Sequence, residues 1–271
     1  MTSKPRGYAL IINNRYFHGS QLTERLGTDV DRDNLQNVFK ALNYDVTVFD
    51  NMKGREMENA IRGFSIRDSH RHVDSTIVVL LSHGSENVIY GTDCVPVEID
   101  KLIKFFDGAH CPALRGKPKL FVIQACRGKN FNRGFETTDG ETAPSGRDAG
   151  PVPATRTSLN VVGPSMLEQL QEMHLRDTEN LRHKLPEGAD MLVAYATVPG
   201  FVSWRNSERG SWFIQELCTV LYKYAHKEDL LSMMTVVNNK VATAYESACN
   251  KKQMPAPVTT LRKKWFFYPR M

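Results

Sequence analysis

The order of apolar segments along this chain is the feature that most limits the folds it can adopt. Short apolar runs with the length of strands alternate with longer segments in which apolar residues recur at helical spacing. Since a helix carries the chain back between parallel neighbours, the alternation predicts an α/β fold: a doubly wound, mostly parallel six-stranded sheet with helices on both faces. The predicted strands are residues 7–12, 45–49, 76–81, 119–123, 189–195 and 261–268, the last of them at an edge.

Amphipathic segments between these strands predict the helices. The first begins at Thr28, because Thr28 and Asp31 have the spacing of a capping box and apolar residues follow at helical intervals. Residues 14–27, which precede it, are predicted to form an exposed loop. The other predicted helices begin at Gly54 or cover residues 96–106, 211–224 and 228–245.

Composition argues against several classes of protein. The 271 residues are 41% hydrophobic and 24% charged, which is ordinary for one globular domain. There is no run of about 20 apolar residues and no apolar leader at the N-terminus, so we expect a cytoplasmic protein with no membrane partner. The net charge of +5 is dispersed without a long basic tract, so nucleic acid is not expected as a partner.

The cysteines indicate a reduced protein without a metal site. Cys94, Cys111, Cys126, Cys218 and Cys249 are an odd number and show no CxxC spacing. Neither a disulfide framework nor a zinc site is therefore expected, and at least Cys126 should be a free thiol. No metal and no organic cofactor are predicted.

The composition changes between about Lys129 and Lys184. Glycine and proline residues interrupt a stretch rich in threonine and serine, although residues 166–183 retain some helical spacing. A structureless loop of this length inside a compact domain is unusual, and is normally either functional or disordered. The pattern predicts a long exposed linker.

Two of the predicted strands run directly into residues that carry chemistry. His83 follows strand 76–81, and Cys126 follows strand 119–123. If these strands are neighbours in a parallel sheet, both side chains face one crevice at the carboxyl ends of the strands. A cysteine with an ordinary pKa near ~8.5 becomes a good nucleophile when a base stands beside it. Taken singly, a buried structural cysteine and a loop histidine remain the alternative.

The sequence Gln124-Ala125-Cys126-Arg127-Gly128, preceded by Ser82-His83-Gly84, resembles the active-site signature of the caspase family. The resemblance covers residues 7–268 and implies the caspase-like form of the predicted sheet. It further implies one catalytic domain in three regions: a large-subunit region (1–139), an intersubunit linker (140–184) and a small-subunit region (185–271).

Family roles transfer residue by residue to four positions of the catalytic centre. The resemblance implies that Cys126 is the nucleophile and His83 the acid and base. Thr23 would hold the histidine through its main-chain carbonyl. Gly84 would supply, with Cys126, the main-chain N–H groups that stabilise a tetrahedral oxyanion, and a glycine permits the close approach that such a donor needs.

The same resemblance places Arg25, Gln124 and Arg205 around the side chain that precedes the cut bond. Two guanidinium groups and an amide suit a planar carboxylate, so the expected substrates are proteins or peptides with Asp at that position. The remaining substrate-binding positions implied by the family are Ser203, Val202, Trp204, Asn206 and Trp212.

In two features this chain departs from executioner caspases and resembles apical caspases of the apoptosome-activated or nematode cell-death type. Val202 is smaller than the aromatic residue that executioner caspases carry, so the second pocket should be roomier. Residues 248–255 also form a shorter segment than the corresponding executioner loop. With the long linker, these features make the chain look like an apical caspase, and that resemblance implies a thiol protease of programmed cell death.

The resemblance also implies regulation and assembly. The chain would be a zymogen that undergoes autocatalytic cleavage in the linker, with Asp139 as the best site and Asp148 and Asp177 as weaker ones. Residues 258–268 would pair across a two-fold axis in a homodimer. An upstream activating platform or other caspases are possible further partners.

Three other functions remain as alternatives to an Asp-specific protease. A metacaspase or paracaspase, which cuts after Arg or Lys, needs acidic pocket residues, whereas Arg25 and Arg205 are basic. A catalytically silent scaffold would have lost the cysteine or the histidine, and both are present. A binding module of the flavodoxin type is disfavoured because no phosphate-binding glycine motif follows any strand.

Overall fold

The structure, a computed structural model, describes residues 1–18, 22–134 and 185–268. One unit consists of Met1–Gly134 together with Pro186–Met271, and a second consists of Phe135–Leu185. Apart from Leu185, the second unit lies outside the described residues, and so do the helical spacing of residues 166–183 and the three candidate cleavage sites. These sites are Asp139, Asp148 and Asp177.

The secondary structure of the described residues follows the predicted alternation of strands and helices. The strands are β1 (Gly7–Asn13), β2 (Tyr44–Asp50), β3 (Ser75–Leu81), β4 (Gly84–Ser85), β5 (Val88–Tyr90), β6 (Pro96–Glu98), β7 (Lys119–Gln124), β8 (Met191–Tyr195), β9 (Arg205–Asn206), β10 (Gly210–Ser211) and β11 (Ala256–Thr259). The α-helices are α1 (Thr28–Ala41), α2 (Gly54–Ser65), α3 (Ile99–Lys104), α4 (Trp212–Tyr224) and α5 (Leu230–Ala244). Short 3₁₀ turns occupy Asp68–His72 and Pro112–Leu114.

A central sheet of six strands has the order β11-β8-β7-β3-β1-β2. Its neighbouring strands are parallel except for β11, which pairs antiparallel with β8 at one edge. The prediction of an α/β fold with a mostly parallel six-stranded sheet is therefore confirmed.

Helices cover both faces of this sheet. Alternate residues of β1 point to opposite sides, so Ala9 and Ile11 pack in the same cluster as the apolar residues of α1, α4 and α5. Leu10 and Ile12 pack in the other cluster, with the apolar residues of α2 and α3. Burial on both faces explains why β3 and β7 read as continuous apolar runs in the sequence.

The predicted last strand, residues 261–268, is wrong. The edge strand is β11, and the main chain after Thr260 forms no ladder. Trp265 and Phe267 alternate with less buried neighbours because both rings pack into the core, where Phe267 meets Tyr44 with ring centroids 6.2 Å apart. The carbonyl of Trp265 accepts a hydrogen bond from the N–H of Leu230, so this segment packs against the start of α5.

Two smaller sheets were not predicted from the sequence. Strands β4, β5 and β6 form one antiparallel sheet, and β9 and β10 form a hairpin. The segment Pro96–Glu98 therefore belongs to a strand, and the third helix begins only at Ile99. Strands of two or three residues are too short to give a periodic signal.

The predicted capping box at the start of α1 is also wrong. The residue before the helix is Gly27, in the left-handed conformation with φ 83°, and no side chain caps the helix. Thr28 Oγ1 donates instead to Oδ1 of Asn13 at 2.7 Å, and Asp31 is completely buried. Both side chains are used in contacts with distant parts of the chain.

Three further properties concern the described part of the chain only. It contains no helix long and apolar enough to cross a membrane. It contains no cluster of three or more His, Cys, Asp or Glu side chains that could hold a metal ion. All five cysteines lie within it, and all five are free thiols.

Candidate active site

The carboxyl ends of β3 and β7 bring the motifs of His83 and Cys126 to one rim of the sheet. The strands are parallel neighbours, and Leu81 of β3 lies opposite Gln124 of β7. His83 and Cys126 each follow two residues later, and the N–H of Ser82 donates to the carbonyl of Gln124 at 3.3 Å. Both residues therefore stand at the same rim.

His83 is held by a main-chain acceptor and an aromatic ring. Its Nε2 lies 2.7 Å from the carbonyl oxygen of Thr23. Because a carbonyl oxygen only accepts, Nε2 carries the hydrogen, and Nδ1 keeps the lone pair in the neutral ring. Phe17, which no sequence pattern indicated, packs on the imidazole with ring centroids 4.8 Å apart.

The surroundings of His83 favour its neutral form. Burial is the largest cause that lowers the pKa of His83, and the positive charges of Arg25 and Arg205 lower it further. The hydrogen bond to the carbonyl of Thr23 opposes this effect, because it favours the protonated ring. The imidazole is therefore available as a base at neutral pH.

Cys126 faces the loop that follows β8. Its Sγ lies 3.8 Å from Oγ of Ser203 and 4.0 Å from the carbonyl oxygen of the same residue. Ser203 Oγ also accepts a hydrogen bond of 3.2 Å from Nε2 of Gln124. Gln124 is buried, and its Oε1 has no hydrogen-bond partner among the described residues. Ser203 thus connects the thiol with the buried amide.

Gly84 lies against the main chain that carries Cys126. A Cβ atom at position 84 would stand 2.9 Å from Cβ of Ala125 and 3.1 Å from the carbonyl oxygen of Cys126. These distances leave no room for a side chain, so glycine is what allows the two segments to approach. The N–H groups of Gly84 and Cys126 consequently belong to adjoining main-chain segments, as a site with two oxyanion donors requires.

Arg25 is fully buried, although the loop that carries it was expected to be exposed. Its Nη1 donates to the carbonyl of Asn14 at 3.0 Å and to Oγ1 of Thr28 at 2.7 Å, and these acceptors make burial possible. Burial, followed by repulsion from Arg205, lowers the pKa of Arg25 to about 9. The guanidinium group is therefore still charged at neutral pH.

Arg205 reaches the same region from the other half of the chain. It lies in β9, and its Nε donates to the carbonyl of Leu26 at 2.7 Å. The β9–β10 hairpin packs directly on Gly27, where any side chain would collide with the main chain of Asn206. Burial is the main cause that lowers the pKa of Arg205, while the charge of Asp31 opposes it.

Asp31 is a buried carboxyl group beside the two arginines, and the sequence patterns did not assign it to the site. It accepts hydrogen bonds from the N–H of Ser211 at 2.8 Å and from its Oγ at 2.5 Å. Burial raises the pKa of Asp31 to about 6, although the Ser211 bonds and the charges of Arg25 and Arg205 oppose the rise. This carboxyl group ties α1 to the hairpin that carries Arg205.

The other predicted substrate-binding residues lie around the loop from Val202 to Asn206. Trp204 is half-buried and stacks on Trp212, with ring centroids 5.7 Å apart, and Val202 stands two residues before it. The side chain of Asn206 is engaged within the hairpin, where its Oδ1 accepts from the N–H groups of residues 208 and 209. The structure thus brings the predicted residues together, but Asn206 uses its side chain to hold the turn.

Arg127 fixes this loop to the segment after Cys126. Its N–H donates to the carbonyl of Phe201 at 3.0 Å, and its carbonyl accepts from the N–H of Gly200 at 2.8 Å. The guanidinium carbon lies 3.9 Å from the ring centroid of Tyr195, the last residue of β8. The two loops that surround the thiol are therefore held to each other.

Comparisons with known proteins place this arrangement in a family. A sequence profile described as the caspase domain matches residues 6–266. Cell death protein 3 from Caenorhabditis remanei is 41% identical over 276 aligned residues, which cover 98% of this chain and 51% of that protein. Caspase-3 from Mus musculus and from Oryctolagus cuniculus are each 40% identical over 269 residues, 97% of this chain and 84% of theirs. The chain thus spans about half of the Caenorhabditis protein.

The family match covers both the His83 motif and the Cys126 motif as well as the hairpin that carries Arg205. Because the profile spans nearly the whole chain and the relatives are 40–41% identical over it, this chain belongs to the caspase family.

Proposed function

We propose that the protein is a cysteine endopeptidase that cuts peptide bonds after Asp. The observation that carries this proposal is the position of two guanidinium groups, that of Arg25 fully buried and that of Arg205 partly buried, beside a thiol and a histidine whose pKa is lowered by burial. A carboxylate of the substrate would neutralise Arg25 and Arg205 and accept hydrogen bonds from their planar groups. Family membership supports the same activity.

In this reaction Cys126 and His83 act on the main-chain carbonyl of the substrate's Asp. Nδ1 of His83 takes the proton of the thiol as Sγ attacks the carbonyl carbon, and the bond from carbon to oxygen becomes single. The N–H groups of Gly84 and Cys126 stabilise the oxyanion. Protonated His83 then gives its proton to the leaving amine, so that the peptide bond breaks and a thioester remains. Water, deprotonated by His83, hydrolyses the thioester and restores the thiol.

The orientation of His83 follows from its contact with Thr23. The carbonyl holds the hydrogen on Nε2, and the opposite nitrogen is left to exchange a proton with the thiol. A main-chain acceptor takes the place that a carboxylate has in other triads. The half-buried ring of Phe17 limits rotation of the imidazole.

A panel of tetrapeptide reporters that differ only in the residue before the cut bond tests this proposal. We expect Asp to be preferred over Asn by roughly 10⁴-fold, as in sites whose buried polar groups are unpaired without the correct substrate. Preference for Arg or Lys would instead indicate an activity of the metacaspase or paracaspase type. No turnover with any reporter, in a folded protein, would contradict an enzymatic function.

We extend the proposal to activation and assembly. Self-cleavage after Asp139, or after Asp148 or Asp177, would convert a zymogen into a large and a small subunit on either side of residues 140–184. Among the described residues β11 pairs with β8 alone, and Val258 on it is 55% exposed. This edge supports the proposal that two copies pair in a homodimer. Similarity to cell death protein 3 of Caenorhabditis remanei supports a role in cell death. We include in the proposal that the protein acts in the cytoplasm, downstream of an activating platform.

A further inference from the structure

The segment after Cys126 is held by main-chain hydrogen bonds on two sides of Phe131. The N–H of Asn130 donates to the carbonyl of Gly200, and the carbonyl of Asn130 accepts from the N–H of Val202, both at 3.0 Å. The carbonyl of Asn132 accepts from the N–H of Lys252 at 2.9 Å. Phe131 is therefore fixed between the loop that carries Val202 and the loop before β11.

Phe131 ends a row of four aromatic rings. Its centroid lies 5.8 Å from that of Trp204, at an angle of 40°. Trp204 stacks on Trp212, and Trp212 stacks on Tyr245 at 5.3 Å. The N–H of Trp204 also donates to Oε1 of Gln253 at 2.7 Å, which holds the middle of the row. The Phe131 ring thus rests on a fixed neighbour rather than on a loose loop.

Phe131 is nevertheless 55% exposed, which leaves a large apolar surface in water. This surface is at the site, because Ser203, between Val202 and Trp204, contacts the thiol of Cys126. A peptide whose Asp is bound by Arg205 passes beside Trp204, the residue directly before that arginine. An apolar side chain of the peptide would cover the exposed ring and be driven there by burial.

We propose that Phe131 is a specificity-determining residue for the side chain that precedes the substrate's Asp. This inference rests on the proposed Asp-specific proteolysis. Phe131 and Trp204 form one apolar surface, and the small Val202 leaves room beside it, so a branched aliphatic residue such as valine is favoured over alanine. Phe131 has this role although it lies outside the residues that the family resemblance implied.

The test compares two peptides that are identical except for Val or Ala before Asp. In the wild type, kcat/KM for the Val peptide should be roughly tenfold higher than kcat/KM for the Ala peptide, because small differences in apolar contact provide discrimination of this size. Phe131→Ala should reduce this ratio to near unity, and Phe131→Leu should restore part of it. Tyr222→Ala is the matched control, since Tyr222 is 83% exposed on α4, and it should keep the wild-type ratio.

A second measurement separates the two proposals. Affinities of the same peptides for Cys126→Ala, with and without Phe131→Ala, report binding without turnover, and the Val preference should disappear with the ring. If Asp reporters are cut but the Val preference is equal in the wild type and Phe131→Ala, the inference about Phe131 is wrong and the protease activity stands. If neither peptide is cut or bound, the proposed function fails, and the inference fails with it.

Discussion

Asp31→Asn tests whether burial between α1 and the β9–β10 hairpin raises the pKa of the Asp31 carboxyl group. Asp31 is completely buried, and its two oxygens accept hydrogen bonds from Ser211. Burial raises the pKa of Asp31 from the ordinary 3.8 to about 6. Asn has the same shape and keeps one acceptor, but it has no charge at any pH.

The sign and the size of the effect follow from linkage. The folded chain binds this proton more tightly than the unfolded chain, so the contribution to stability is complete below about pH 4 and is lost as pH rises through about 6. At about 1.4 kcal/mol for each pKa unit, the rise of Asp31 corresponds to about 3 kcal/mol in total. About half of this, ~1.5 kcal/mol, falls between pH 5 and pH 8.

Thermal unfolding of the two chains at pH 5 and pH 8 measures this difference. In a domain of this size ~1.5 kcal/mol corresponds to about 3–6 °C in Tm. Tm of the wild type minus Tm of Asp31→Asn should therefore increase by about that amount on acidification, because all other titrating groups are common to both chains. Asp33→Asn is the control, since the Asp33 side chain is 57% exposed on the same helix. The difference in Tm between the wild type and this variant should be the same at pH 5 and pH 8. An equal difference at both pH values, or one that decreases at pH 5, would refute the assignment.

Three further predictions concern the proposed chemistry. Cys126→Ala should remove all peptide cleavage and leave Tm close to that of the wild type. Its chain should remain intact by mass spectrometry, where the wild type shows fragments ending at Asp139. Residual turnover would exclude Cys126 as the nucleophile. Arg205→Ala should lower kcat/KM for Asp reporters by roughly 100-fold, because a desolvated charge pair is lost, and should reduce the preference for Asp over Asn; an unchanged preference would place the pocket elsewhere. The acid limb of the plot of kcat/KM against pH should lie below pH 6.5, since burial and the two arginines lower the pKa of His83. In Arg205→Ala this limb should move to higher pH. A limb at the same pH in both chains would contradict the electrostatic coupling between Arg205 and His83.

The sequence predicted those parts of the fold that depend on short-range patterns. The apolar runs that form β1, β3, β7 and β8 are buried on both faces, so they are recognisable without knowledge of their partners. The rule that parallel strands end at one rim predicted that His83 and Cys126 share a crevice if their strands are neighbours, and the pairing of β3 with β7 meets that condition. These inferences need only periodicity and general topology.

The parts that the sequence did not reveal depend on distant partners. Asp31 matches a local capping pattern, but its hydrogen-bond partner Ser211 lies 180 residues further along the chain. Trp265 and Phe267 alternate like strand residues, whereas their burial comes from packing against Tyr44 and the start of α5. Phe131 has no periodic neighbours, and the features that distinguish it from other loop residues, such as its contact with Trp204, depend on the folded structure.

The long-range contacts also determine what cleavage in the linker can do. Residues before and after the linker are joined by the parallel pairing of β7 with β8, by Ser211 bound to Asp31, and by Arg205 bound to the carbonyl of Leu26. Arg25 and Arg205 therefore reach the same pocket from both sides of residues 135–184 through contacts that do not depend on an intact linker. Because the paired strands and the hydrogen bonds between Ser211 and Asp31 are buried, a cut after Asp139 would leave the two pieces associated. Any change in activity on processing must then come from the freed ends of the chain, and not from separation of the pocket.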